Sequence, residues 1–192
     1  MAIQSSGKHH LSNSLRLTAG VAGVVLLLLR ASAIQTTSHV LLYAATWITF
    51  LHILIGVDIL IRCLHAYAPI QQGLDILAGI FLGLFLVSFT FPALWAAILA
   101  GLVGVAVLKY GLLHFTLKDR FLRGYVREKL LLEGPAVLLL ALAAAILWFG
   151  DMPRIVTLGI EMFLLTSTTA FAIWMIFIKK RSRQIRKYQA PP

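Results

Sequence analysis

Six long apolar runs, joined by short connections, constrain this chain more than any other feature. They are roughly Leu17–Ile34, Val40–Ile61, Leu74–Phe91, Ala93–Phe115, Leu130–Phe149 and Ile155–Ile178. Each is near the ~20 residues that a helix needs to cross ~30 Å of hydrocarbon. Backbone groups facing lipid must be satisfied internally, so helices are the expected spanning elements. Only 12% of the residues are charged, against about 25% in an average soluble domain. The expected fold is therefore all-α: a polytopic membrane protein of six transmembrane helices. They form three sequential hairpins, about 12–66, 70–119 and 126–183, within a single transmembrane domain spanning 1–192. Six spans leave no length for a soluble catalytic domain.

The connections alternate in character. Gln35–His39, the Phe91-Pro92 corner and Gly150–Pro153 are tight, whereas Arg62–Gln72 and Thr116–Lys129 are longer and polar or basic. Proline and glycine supply the reversals. Charge follows the same alternation. Lys118, Arg120, Arg123, Arg127 and Lys129 crowd the fourth-to-fifth connection, and Lys179, Lys180, Arg181, Arg183, Arg186 and Lys187 follow the sixth run. Lys8 and Arg16 precede the first, while the opposite side carries only Arg30 and Arg154. The positive-inside rule then predicts a multi-pass inner-membrane protein with both termini cytoplasmic. The basic tail, 179–192, is expected to touch anionic headgroups. This placement accounts for the net charge of +10 without nucleic acid, for which no folded reading element is present.

The first run imitates a secretory signal, with a basic lead and Ala31-Ser32-Ala33 where a peptidase would cut. Arg30 interrupts that region, and the segment is expected to be a retained helix. The single cysteine, Cys63, permits no intrachain disulfide.

Small residues recur near the start of each hairpin, and the middle one carries the fullest pattern. It reads Gly79-Ile80-Phe81-Leu82-Gly83, then the Phe91-Pro92 corner, then Gly101, Gly104 and Gly111. This arrangement resembles the HdeD-type acid-resistance membrane proteins, which are also built from three helical hairpins of about this total length. The first hairpin departs from it, with Gln35-Thr36-Thr37 at the expected proline corner. The resemblance implies a stress- or acid-related role and carries no catalytic signature. Independently of it, Gly79 and Gly83 form a GxxxG, while Ala93, Ala97 and Gly101 share a helical stripe. Such spacing suits close helix packing, within the chain or between copies.

Ionisable residues inside a bilayer are costly and are functional candidates by default. His52, Asp58, Arg62, Lys109 and Glu161 form that set. Asp58 paired with Arg62 or Lys109 would fix helix register. Alternatively His52, Asp58 and Glu161 would line a proton or ion path, because they fall at successive depths. A third reading gives the histidines a cofactor, haem or chlorophyll. His39, His52 and His65 are 13 residues apart, about 220° of rotation, so they do not share a face. Only His65 and His114 fall at one level on different helices, and His52 could supply a single axial ligand. No metal-ligand spacing, phosphate-cradling loop or nucleophile–base pair is present. No enzyme is expected. Two readings stand beside the stress protein: an accessory subunit of a larger, pigment- or haem-associated membrane complex, and a small proton or ion transporter. Trp95 and Trp148 are expected at the outer boundary, where aromatic belts form. Trp47 and Trp174 are expected to fill the core. Ser167, Thr168 and Thr169 can bond to their own helix carbonyls or across to a neighbour.

Overall fold

A computed structural model describes residues 18–63, 69–116, 120–150 and 153–189, with side chains withheld at 55–63, 69–72, 120–122, 175 and 178–189. Every described element is helical: α1 (Thr18–Ala33), α2 (Thr37–Cys63), α3 (Pro69–Val87), α4 (Pro92–Thr116), α5 (Arg120–Phe149) and α6 (Arg154–Gln189). Four stretches are long and apolar enough to cross a membrane: Thr37–Leu54, Pro92–Thr116, Arg123–Phe149 and Arg154–Trp174. Thr18–Ala33 and Gly73–Val87 are apolar but shorter. Val21, Leu28, Ile76 and Ile80 on these two helices are exposed apolar side chains.

The turns at one end follow from local chemistry. Thr36 caps α2, its Oγ1 accepting the His39 N–H at 3.2 Å, while the Gln35 N–H donates to His39 Nδ1 at 3.3 Å. This reciprocal arrangement replaces a proline corner by satisfying free donors at the helix start. At the next turn Pro92 opens α4, where its missing N–H removes no helical bond.

The core is continuous. Leu27 of α1, Leu42 of α2, Phe85 of α3, Trp95 of α4, Leu140 of α5 and Leu164 of α6 belong to one buried cluster. The closest helix pairs are α4 with α5, α2 with α6, and α3 with α4. Thus α5 and α6, neighbours in sequence, pack chiefly on other partners. Contacts set the directions. Ser38 meets Glu161 and His52 meets Phe171, so α2 and α6 run parallel. Gly104 faces Val137 and Tyr110 faces Lys129, so α4 and α5 run antiparallel.

Two expectations are corrected, and most of the basic tail proves helical. The Thr116–Lys129 connection is largely helix, because α5 begins at Arg120 and carries Arg123, Arg127 and Lys129 in its first turns. Arg, Leu, Lys and Glu are strong helix formers, and the lone Gly124 does not interrupt them. The basic tail likewise continues α6 to Gln189, since no glycine or proline intervenes before Pro191. Trp95 does not sit in an outer belt. It is 0% exposed and donates from Nε1 to Thr46 Oγ1 at 2.8 Å. Trp148, 63% exposed, does face outward, and Trp47 and Trp174 are partly buried against the core clusters.

The small residues divide by use. A β-carbon at Gly101 would overlap the Phe81 ring, so this glycine sets the approach of α3 to α4. Gly23 plays the same part for Phe50 between α1 and α2. Gly104 lies in ordinary contact with Val137. A β-carbon at Gly79 or Gly83 would meet nothing within 4 Å among the described residues, so the GxxxG sets no helix approach there.

Candidate functional site

A cavity of about 280 Å³ lies between the helices, and it gathers the buried charges Lys109, Lys129 and Glu133. Its polar lining includes Thr49 and His52 from α2, Asp75 from α3, Lys109 and Tyr110 from α4, and Lys129 and Glu133 from α5. Ser167 and Thr168 of α6 complete it.

Lys129 is the centre. It is only 1% exposed, and its Nζ donates to Glu133 Oε1 at 2.6 Å. The two residues are one helical turn apart, the spacing that stacks opposite charges on a helix face. Nζ also lies 3.4 Å from His52 Nε2. Three rings surround the ammonium, with centroids 4.7 Å away for Phe171, 5.8 Å for Tyr110 and 5.9 Å for Trp174. All fall within the ~6 Å reach of cation–π attraction. Two residues beyond Glu133, Pro135 sits inside α5 and has no N–H for the Leu131 carbonyl, which loosens the backbone next to the pair.

Lys109 makes a second ion pair at the same cavity, with Asp75 of α3. The Asp75 side chain is 40% exposed, so this pair sits at the rim while Lys129–Glu133 sits inside. Farther along α2 and α6, toward the Thr36 cap, Ser38 donates to Glu161, which is fully buried. About 15 Å of helix separates Glu161 from Phe171, beside His52. Ser167, Thr168 and Thr169 point back to their own helix, to the carbonyls of Leu164, Leu165 and Leu165. Ser167 and Thr168 nevertheless line the cavity with Thr49 on the facing helix. Glu161 does not line the cavity, and the buried Leu164 lies between it and Ser167 along α6.

Of the sequence candidates, His52 and Lys109 meet at this cavity, and Glu161 lies apart from it, bonded by Ser38. The side chains of Asp58 and Arg62, and all of His65, lie outside the described residues. Sequence reasoning missed Lys129, Glu133, Asp75 and Tyr110. By its neighbours Lys129 reads as a connection cation, although Lys129 and Glu133, one turn apart and flanking Leu130–Leu132, are spaced as a paired charge within an apolar stretch.

The cofactor reading fits poorly. His52 Nε2 faces an ammonium, which opposes metal coordination at that nitrogen. The cavity is smaller than the roughly 300–1,000 Å³ of sites that take drug-sized ligands, so a tetrapyrrole does not fit it. His114 packs edge-on to Phe115 with centroids 5.6 Å apart, and the His65–His114 pair lies outside the described residues because His65 does. Among the described residues no group of three metal-ligating side chains converges. No protein-family model matches the chain, and no curated protein or solved structure matches it either.

Proposed function

We propose that this protein is a small proton-linked membrane carrier of six spanning helices, with the Lys129–Glu133–His52 group as its protonation site. One observation carries the reading: a fully buried lysine–glutamate pair, with a histidine against it, lines a cavity between helices that belong in lipid. Ionisable groups at such depth mark substrate and proton pathways in membrane proteins. Thr49, Ser167 and Thr168 line the cavity with hydroxyl groups of the kind through which protons pass, and Pro135 gives the helix that bears the pair a place to bend.

In this proposal α1 and α3 also cross, at about 24 and 28 Å of helix, with slight local thinning of the bilayer. Arg123, Arg127 and the basic end of α6 then share one side, which the positive-inside rule makes cytoplasmic. The acid-stress role implied by the HdeD resemblance supplies a setting, since a buried titratable group responds to falling pH. The cavity and its charges favour the carrier over an accessory subunit.

The test is proton movement. Purified protein in vesicles holding a pH dye should collapse an imposed pH gradient faster than protein-free vesicles. Equal rates would overturn the proposal. A reporter fused after Pro192 should be cytoplasmic, and an external reporter would overturn the orientation.

A further inference from the structure

The cavity has a mouth as well as a wall. Of the residues lining it, Leu139 of α5 is 55% exposed and Phe163 of α6 58%, and Ser167 of α6 is exposed beside them. Behind them Leu99 and Leu102 of α4 and Leu164 of α6 are buried. Among the described residues α5 and α6 hardly approach each other, because α5 packs on α4 and α6 on α2. The opening is therefore sideways, through the gap between α5 and α6. Leu139 and Phe163 lie near the middle of the apolar stretches Arg123–Phe149 and Arg154–Trp174. In the spanning arrangement proposed above, that level is about 15 Å from either headgroup layer, where only hydrocarbon is at hand.

Ala78, Ala106, Ala136 and Ala143 line the space and leave it open. What a guest meets there is almost wholly carbon, since His52 Nδ1, Thr49 Oγ1 and Glu133 Oε2 are closed to solvent. The nearby charges are already paired, Lys129 with Glu133 and Lys109 with Asp75. A charged guest would bring an uncompensated charge into a low-dielectric space. Size narrows the guest further. An apolar cavity of ~150 Å³ holds the six carbons of benzene, so about 280 Å³ holds roughly eleven. The lining on α4 runs from Leu99 to Tyr110, about 16 Å of helix. Spread over that length, the volume is only ~4–5 Å across, too narrow for the ~10 Å of a helix from a second copy. One alkyl chain has that width. An empty space of this kind forfeits dispersion contacts on every wall, and a chain restores them.

We propose that the cavity takes the end of one acyl chain, about ten carbons long, from a lipid of the surrounding bilayer through the α5–α6 gap. This goes beyond the carrier reading and rests on it only for the helices lying in lipid. A seated chain keeps water from the Lys129 group, so protons move while the cavity is empty.

The test is photolabelling of the full-length protein in phosphatidylcholine vesicles in which some lipid carries a diazirine at the end of one acyl chain. Labelled residues are then mapped by mass spectrometry. Leu138 and Leu142, exposed and outside the cavity, should label wherever α5 lies in lipid. Leu99 and Leu102, only 2% and 7% exposed, are reached only by a chain inside, and they should label as well. Ala143→Phe, which fills part of the space, should cut their labelling at least ~tenfold relative to Leu138. Label on Leu138 and Leu142 with none on Leu99 or Leu102 would overturn the proposal and spare the spanning helices. Label on none of the four would overturn both. Leu139 and Phe163 shielded from label would assign the gap to a second copy and also overturn the proposal. So would undiminished label on Leu99 and Leu102 in folded Ala143→Phe, and the wild-type map decides should that variant fail to fold. Proton movement is measured separately, so either claim can fail alone.

Discussion

Removing one member of the Lys129–Glu133 pair should harm the fold far more than removing both. The pair is almost wholly buried, with side chains 2% and 8% exposed and 2.6 Å between Nζ and Oε1. Deleting one partner of such a pair leaves a lone charge inside, at about 3–5 kcal/mol. A lone charge at a helix centre in a membrane costs ~2.5–3.5 kcal/mol on insertion scales. Lys129→Met should therefore cost about 3 kcal/mol or more, roughly a hundredfold in the folded-to-unfolded ratio. Glu133→Leu should cost less, because Lys129 keeps His52 Nε2 and three ring faces, whereas Glu133 without Lys129 keeps none. The double variant Lys129→Met/Glu133→Leu should lie near the wild type or above it, since apolar replacement of both charges is often neutral to stabilising. Denaturant titration in mixed micelles, followed by tryptophan fluorescence, completes the double-mutant cycle, with Trp174 reporting beside Lys129. Single variants within ~1 kcal/mol of wild type, or a double variant as unstable as the two singles combined, would refute a buried, mutually dependent pair.

Other expectations follow from the same contacts. Asp75→Asn should cost about 1–3 kcal/mol in the same titration, less than Lys129→Met, because Asp75 is 40% exposed but the buried Lys109 loses its carboxylate. Thr46→Val should cost ~1–3 kcal/mol by stranding the buried Trp95 N–H, and Thr46→Ser should restore most of it. Gly101→Ala should destabilise by ~1–3 kcal/mol through the Phe81 ring. Gly79→Ala and Gly83→Ala should be neutral or stabilising by up to ~1 kcal/mol, as nothing within the chain opposes them. A loss at Gly79 or Gly83 that grows on dilution would instead mark that face as a contact between copies.

The helices were legible in the sequence because apolar length and turn chemistry act locally. Pro92 at a helix start and the reversal at Gln35–His39 are properties of a few adjacent residues. The site was legible only in part. Positive-inside counting treats every basic residue near a connection as solvated, and so it placed Lys129 with Arg123 and Arg127. What distinguishes Lys129 is tertiary: α4 and α6 bring Tyr110, Phe171 and Trp174 around it, and no spacing within α5 reveals that. Trp95 was misplaced for a similar reason. Its position beside a turn suggested a boundary, but the hydroxyl that receives its N–H lies 49 residues earlier, on α2. Lys109 stands out as a charge inside an apolar run, whereas Asp75 does not, because its place opposite Lys109 follows from the pairing of α3 with α4.

The most direct test of the central claim compares pH-gradient collapse in vesicles bearing wild-type protein with collapse in vesicles bearing Lys129→Met/Glu133→Leu. The double variant is the decisive comparison because it should keep the fold while losing the protonation site. The account predicts rapid collapse for the wild type and protein-free rates for the double variant. Collapse by the folded double variant at the wild-type rate would contradict it, and would show that the Lys129–Glu133 pair holds helices together without carrying protons.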